Sequence, residues 1–204
     1  TLLINLLVVF SSYVIEHDRM PFFLSLFLLM QSMVLGVFLS FDAILYYFFW
    51  EGMLLPMYLC IGIWGSTKRQ SAAIKFFLYT FLGSLLMLVA LIYMGVQANG
   101  FSFLALQSQS FSLTEQIVLF LALMAAFAVK VPMFPFHTWL PDAHTEAPAA
   151  GSVVLAALML KVGAYGFIRL SLPILPDASQ VLAPLMIALS MIAILYVGIL
   201  AYTQ

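Results

Sequence analysis

The chain has 204 residues, of which 65% are hydrophobic and 7% charged, with a formal net charge of −1. Soluble domains carry about 25% charged residues, so this composition excludes a soluble globular protein and is typical of an integral membrane protein. The small net charge and the absence of a basic tract give no indication of nucleic-acid binding, and the single cysteine, Cys60, excludes an internal disulfide framework.

Apolar runs long enough to cross a bilayer recur along the whole chain. They predict an all-α polytopic membrane protein, a bundle of about seven transmembrane helices that forms a single membrane domain over 1–204. We interpret the first, short run as the tail of a span and expect the chain to be part of a longer protein, with no signal peptide. The predicted spans are 2–15, 22–39, 43–64, 74–96, 115–130, 148–169 and 181–202.

Polar segments connect these spans and predict how the chain is oriented. A turn at 16–19 and a loop at 65–72 fall on one side, and the polar segment 97–113, which is too polar to cross, falls on the other. Lysine and arginine collect on the cytoplasmic side of membrane proteins. The side that carries Arg19, Lys68, Arg69 and Lys75 is therefore predicted to face the cytoplasm or a mitochondrial matrix, and the acidic loop 142–146 is predicted to lie there too.

The fifth span contains the most unusual stretch of the sequence. It reaches Lys130 and then meets Pro132 and Pro135 three residues apart. A proline within a helix removes one backbone hydrogen bond and clashes with the carbonyl four residues earlier, so the two prolines predict a broken helix. Within a bilayer, the freed backbone groups must be satisfied by protein or by water. A second helical piece over about 137–144 is expected to complete the crossing.

Three charged residues lie too deep to reach a membrane surface easily. Glu51 is roughly 12 Å into its span, Lys130 roughly 22 Å past Glu115, and Lys161 roughly 20 Å past Pro148, at 1.5 Å per residue. The hydrocarbon core is about 30 Å thick, and a charge near its centre costs about 2.5–3.5 kcal/mol on insertion scales. The other charged residues lie near helix ends, where they can cap a helix or reach the surface.

Two interpretations of these buried charges remain open. In one, Glu51 and a lysine form a static ion pair that fixes helix register, although such pairs often stabilise no more than apolar residues, and the second lysine then lacks an acidic partner. In the other, the three residues form a proton relay. Burial disfavours a charged lysine and a nearby carboxylate favours it. Displacement of Glu51 would then release a proton from Lys130 to Lys161 or to water.

His137 and His144, seven residues apart at the break, are candidate members of the same relay because histidine titrates near neutral pH. The alternative is that each only donates or accepts a hydrogen bond at the break. They are poor candidates for haem ligands, since the one other histidine, His17, lies in a predicted surface turn. We find no metal-ligand spacing, CxxC motif or glycine-rich phosphate loop.

Three stretches, read in order, resemble one family. They are FFWEGMLLPMYLCIGIWG, KVPMFPFHTWLPDAHTEAPAAGS and LMLKVGAYGFIRL. The chain resembles the antiporter-like membrane subunits of proton-pumping NADH:quinone oxidoreductase, or respiratory complex I, over nearly its whole length. The run DAHTEAPAAGS followed by LMLKVGAYG is similar to one branch of these subunits rather than to its sisters.

The resemblance implies roles for individual residues. Glu51 matches the family's glutamate, Lys130 the lysine at the broken helix, and Lys161 the central lysine one helix later. It implies that separation of Glu51 from Lys130 drives proton transfer through Lys161 towards an outer exit. Family members are roughly twice as long, so we expect a second broken helix to be missing here.

The resemblance also implies the surroundings of the chain. No cofactor is expected within it, whereas NADH, FMN, iron–sulfur clusters and quinone are expected in partner subunits. The implied partners are other membrane-arm subunits, above all the sister antiporter-like subunits, together with the lipid bilayer. The implied location is a bacterial inner membrane or a mitochondrial inner membrane. Alternatives are a subunit of a multisubunit sodium/proton antiporter, a membrane subunit of a proton-coupled hydrogenase, and a passive membrane scaffold.

Overall fold

In the computed structural model, which describes residues 1–14 and 19–203, every regular element within these ranges is a helix. The predicted turn residues Glu16, His17 and Asp18 lie outside the described residues. We number the helices α1 to α10, and treat the span Ala149–Ile174 as one helix. They are α1 (Leu2–Val14), α2 (Met20–Leu39), α3 (Ala43–Gly52), α4 (Leu54–Trp64), α5 (Arg69–Gln97), α6 (Phe103–Ser108), α7 (Leu113–Lys130), α8 (Trp139–Glu146), α9 (Ala149–Ile174) and α10 (Pro176–Thr203).

Six spans are long and apolar enough to cross a membrane, which confirms an all-α polytopic membrane protein. They are α2, the α3–α4 pair, α5, α7, α9 and most of α10. The predicted number of about seven included the first run, but α1 has 13 residues and is roughly 20 Å long at 1.5 Å per residue. The segment predicted as a polar loop over 97–113 contains the short helix α6, capped by the hydroxyl of Ser102.

Side-chain caps fix where two of the helices begin. Helix α3 begins as predicted, because the Asp42 carboxylate accepts hydrogen bonds from two backbone N–H groups of its first turn. Helix α10 begins at Pro176, five residues before the predicted position. The buried side-chain oxygen of Gln116 in α7 accepts hydrogen bonds there from the backbone N–H groups of Asp177 and Ala178. Sequence proximity could not indicate this cap, because Gln116 lies 61 residues away.

The third predicted span is interrupted at Met53, between α3 and α4. Pro56 has no N–H to offer the carbonyl of Gly52, so the helical ladder is interrupted one turn before the proline. Gly52 also faces α2 closely, since a Cβ added there would lie 2.8 Å from the sulfur of Met33. The interruption places Glu51 at the end of α3 rather than within a continuous helix.

Helices α5 and α7 pack side by side at the centre of the bundle. They approach each other at Gly83, where an added Cβ would lie 3.1 Å from Val129 and 3.3 Å from the carbonyl oxygen of Ala125. On the other side of α7, the ring of Phe127 packs against Trp50 and Phe167, with centroid distances of 5.6 and 5.0 Å. Helix α7 is therefore enclosed between α3, α5 and α9, and its last turn lies in the core.

The connecting segments on one side of the bundle are joined by polar contacts. Lys75 in α5 forms an ion pair with Asp142 in α8, with 2.6 Å between Nζ and Oδ2. The carboxylate of Glu146 accepts hydrogen bonds from the Ser66 hydroxyl and the Lys68 backbone N–H. These contacts confirm that the basic loop 65–72 and the acidic segment 142–146 lie at the same end of the bundle.

Candidate functional site

The helix break predicted at the two prolines begins directly after Lys130, the last residue of α7. Pro132 has no N–H for the carbonyl of Ala128, which instead accepts the N–H of Met133 at 2.8 Å, one residue further on than in an α-helix. This shift frees the carbonyl of Val129, the normal partner of Met133. Pro135 follows a cis peptide bond, and α8 begins four residues later at Trp139.

The freed carbonyl of Val129 is satisfied by protein. The indole Nε1–H of Trp139, a fully buried side chain, donates a hydrogen bond to it at 3.0 Å. Trp139 also packs against Phe76 of α5, with ring centroids 5.4 Å apart. The carbonyls of Ala128 and Val129 therefore need no water as hydrogen-bond donor. The second of these bonds joins Trp139, the first residue of α8, to the residue before Lys130.

We expect Trp139→Phe to lower the free energy of unfolding by about 1–3 kcal/mol, because the buried Val129 carbonyl would lose its hydrogen bond while most of the ring packing is kept. Unfolding of the purified protein in mixed detergent would measure the change. Thr138→Val is the matched control, since it removes an exposed hydrogen bond from Thr138 to the Tyr79 hydroxyl next to the same break. Equal stability of the two variants would contradict the assigned role of the indole.

Lys130 is buried within the bundle at the end of α7. Its side chain is 1% exposed, and its ammonium nitrogen has no hydrogen-bond partner among the described residues. The nitrogen lies 5.3 Å from the centre of the Trp50 ring, within the range of a cation–π interaction. The prediction that this lysine lies deep in protein is consistent with its burial, and Trp50 is a contact that the sequence did not indicate.

Glu51, the residue after Trp50, lies next to this lysine. Its carboxyl interacts electrostatically with Lys130 and with the hydroxyls of Tyr47 and Ser84. One carboxyl oxygen is buried with no hydrogen-bond partner in the described part of the chain. Among the described residues, the ion pair at contact distance is that between Lys75 and Asp142. Glu51 and Lys130 are near neighbours, but their charged groups do not touch.

Tyr47 and Ser84 belong to the site but were missed in the sequence. Tyr47 precedes Glu51 by four residues, which places both side chains on one face of α3, and this spacing was an available signal. Ser84 is fully buried on α5, and its hydroxyl also donates a hydrogen bond to the carbonyl of Phe81. Nothing in the apolar sequence around Ser84 indicates that it faces a carboxylate.

Lys161 lies at the middle of α9, as predicted, but its side chain is exposed on the surface of the described helices. The structure therefore brings Glu51 and Lys130 together and leaves Lys161 on an outer face. The helix around Lys161 is irregular. It widens to π-type turns at Leu155–Met159 and Phe167–Ser171, which occur frequently at functional sites.

Helix α9 packs directly against the break through Gly163, two residues after Lys161. A Cβ at Gly163 would lie 2.8 Å from the side chain of Val131 and 3.0 Å from the Cβ of Lys130. Any larger residue would push α9 away from the end of α7. The close contact brings the backbone of α9 near Lys130 even though the Lys161 side chain faces outwards.

The two histidines lie at different parts of the break. His137 is half-buried, with its ring between Phe134 and Tyr196 at centroid distances of 5.8 and 5.2 Å, and its Nδ1 atom is buried without a hydrogen-bond partner in the described ranges. His144 lies in α8, where burial lowers the pKa of its imidazole. At pH 7 the imidazole of His144 is therefore neutral, and burial makes it a weaker base than an exposed histidine.

These features define a class of protein, a polytopic helical membrane protein built around a buried lysine at a broken helix. Residues 40–204 match the family model described as NADH:quinone oxidoreductase/Mrp antiporter, transmembrane. The chain therefore belongs to this family, which confirms the resemblance carried by its three sequence motifs.

Individual relatives are similar over nearly the whole chain. The chain is 45% identical over 211 residues to NADH-quinone oxidoreductase subunit M of Rhodobacter capsulatus, which covers 97% of this chain and 41% of that protein. Respiratory complex I from Thermus thermophilus matches 89% of this chain and 39% of its own, with a TM-score of 0.83 and 32% identity. The Mrp complex from Dietzia matches 77% of this chain and 18% of its own, with a TM-score of 0.69 and 28% identity. The chain thus spans about two fifths of the length of the curated relative.

Proposed function

We propose that this chain is the proton-conducting part of a membrane subunit of a proton-pumping NADH:quinone oxidoreductase. The observation that carries the proposal is Lys130, a buried lysine at a helix break that lies beside a carboxylate without touching it. Such an ammonium is held by weak contacts only, so small movements of its neighbours change its charge state. Similarity to a subunit M sequence and to a complex I structure supports this assignment over the other members of the family.

The proposed first step is proton release from Lys130. The ammonium is stabilised by the Glu51 carboxylate and by the face of the Trp50 ring. When the carboxylate moves towards the hydroxyls of Tyr47 and Ser84, the ammonium loses its charged neighbour within a site of low dielectric constant. The N–H bond then breaks, the proton passes to an acceptor, and Lys130 remains as a neutral amine until it is protonated again.

The proposed acceptor is the amine of Lys161 or a water molecule next to it. A charged side chain at mid-span is costly in lipid, and such residues face protein or water in membrane proteins. We therefore infer that Lys161 is covered in the assembled protein by residues other than those described. His137, two residues before α8, and His144, in the last turn of α8, are proposed to exchange protons with the relay from the side of the break.

The redox chemistry is assigned to partner subunits. NADH, FMN, iron–sulfur clusters and quinone are proposed to bind there, and this chain contributes titratable side chains alone. Within residues 1–14 and 19–203, no group of three His, Cys, Asp or Glu side chains is placed to hold a metal ion. The proposed partners are the neighbouring membrane-arm subunits, among them the sister antiporter-like subunits, in a bacterial or mitochondrial inner membrane.

A second candidate function is a sodium/proton antiporter subunit, favoured by the similarity to the Mrp complex.

The two candidate functions are distinguished by reconstitution of the complex that contains the full-length protein into liposomes. We expect NADH oxidation by quinone to generate a pH gradient, with no sodium exchange in the absence of NADH. Sodium–proton exchange that runs without NADH or quinone would contradict the proposal and support the antiporter. A pH gradient unaffected by changes at Glu51 and Lys130 would instead indicate a scaffold.

A further inference from the structure

A long groove with a volume of 1020 Å³ runs along the outer surface between α5 and α7. This volume is at the upper end of the range of about 300–1000 Å³ that ligand sites commonly occupy. Leu78, Leu82 and Leu86 line it at intervals of four residues, and Gly83 and Ala125 form part of its floor. These leucines are about half exposed, so the groove opens on the surface of the described helices.

Most polar groups lie at one end of the groove. Gln70, Ser71 and Lys75 line that end, and Tyr79, which carries a hydroxyl, lies one turn further along α5. From Leu82 to Leu86 the described lining residues of α5 and α7 are apolar. Lys75 forms an ion pair with Asp142, but an ammonium group has three N–H donors, so two remain for another acceptor. Its side chain is 35% exposed, which leaves the group accessible from the groove.

The dimensions of the groove match one leaflet of a bilayer. From Lys75 to Leu86 the helix rises about 16 Å at 1.5 Å per residue, close to half of a hydrocarbon core about 30 Å thick. Helix α5 has 29 residues and is longer than that core is thick, and we place its first turns, which carry Arg69 and Lys75, at the level of the lipid headgroups. A groove with a cation at headgroup depth and apolar walls below it has the polarity of one phospholipid molecule.

The charge at the polar end favours a negatively charged headgroup. Three cationic side chains, Lys68, Arg69 and Lys75, lie there against two carboxylates, Asp142 and Glu146, which leaves an excess of one positive charge. Arg69 donates a hydrogen bond to the neutral carbonyl of Ile63, so its charge is not cancelled there. The first turn of α5 adds the positive end of the helix dipole.

We propose that this groove is a binding site for an anionic phospholipid, with the phosphate group next to Lys75 and one acyl chain along Leu78, Leu82 and Leu86. The bound lipid covers the exposed seam between α5 and α7 and contacts Val129, the residue before Lys130. The site is independent of the proposed proton relay, since its residues take no part in proton transfer. It requires only that the chain lies in a membrane.

The test is photocrosslinking within the intact membrane complex that contains the full-length protein. A benzophenone amino acid is introduced at Leu82 and, as the matched control, at Leu28, an exposed leucine of α2 outside the groove. Mass spectrometry identifies the crosslinked molecule. We expect anionic phospholipid at Leu82, enriched about fivefold over its share in the membrane, the effect of about one unit charge at a membrane surface, and no enrichment at Leu28.

Variants at Lys75 test the proposed headgroup contact. Lys75→Gln should remove the enrichment at Leu82, and Lys75→Arg, which keeps the charge, should preserve it. A peptide of a neighbouring subunit or of another part of the same protein at Leu82 would overturn the proposal. So would equal lipid compositions at Leu82 and Leu28, or an enrichment that survives Lys75→Gln.

Discussion

Replacement of Lys130 by methionine is expected to lower the rate of proton translocation by about a hundredfold or more, the range for removal of a positioned acid–base group. Methionine is an unbranched side chain that fills irregular gaps, so the packing against Trp50 is largely kept while the titrating amine is lost. The measurement is the pH gradient formed by the reconstituted complex during NADH oxidation. The amount of assembled complex in the membrane is measured alongside, and we expect it to change little.

Two further variants separate chemistry from packing at this position. Lys130→Ala removes the same amine but leaves a cavity, so it should also lower translocation far more than assembly. Lys68→Met is the matched control, because Lys68 is an exposed lysine in the loop before α5 and lies outside the relay. Normal proton pumping by an assembled complex that carries Lys130→Met or Lys130→Ala would exclude the proposed relay.

Replacement of Glu51 by glutamine is expected to have the second largest effect, a loss of proton translocation on the order of ten- to a hundredfold. Glutamine keeps the volume and the contacts with Tyr47 and Ser84 but removes the charge that stabilises the buried ammonium. Without a carboxylate that can move towards and away from it, Lys130 loses the proposed means of changing between its charged and its neutral form. The effect is smaller than at Lys130 because the titrating amine itself remains.

The control for Glu51→Gln is the same substitution at Glu115, at the start of α7. Glu115 accepts hydrogen bonds from Tyr93 and Ser112 and completes a capping box, a position that glutamine also fills, so the start of α7 should be kept. We expect near-normal proton translocation for Glu115→Gln. If both glutamine variants retain the same pumping rate in the reconstituted complex, the special role of Glu51 is refuted.

The sequence predicted those features that depend on local backbone chemistry. Pro132 and Pro135 lack N–H groups, so the end of α7 at Lys130 followed from residue identity alone. The start of α3 at Ala43 was also predicted, and there the side-chain carboxylate of Asp42 accepts two backbone N–H groups of the first turn. The burial of Lys130 within the bundle is consistent with the depth expected from the fixed rise per residue of a helix.

Features that depend on which face of a helix meets which neighbour were not predicted. The spans are apolar on all sides, so their sequences do not distinguish an inner face from an outer one, and Lys161 at mid-span proved to face outwards. The contact between Lys130 and Trp50 joins residues 80 positions apart in the chain. The hydrogen bond from Trp139 to Val129 depends on the path of the chain between α7 and α8, which residue spacing does not encode.

Helix α8 has fixed attachments at both ends, and this has a mechanical consequence. At its start, the indole of Trp139 is bonded to α7, and towards its end Asp142 and Glu146 are bonded to α5 and to the loop before it. A short helix held in this way is a rigid connection between the end of α7 and the loop before α5. We therefore expect a displacement of the loop before α5 to be passed through α8 to the backbone beside Lys130.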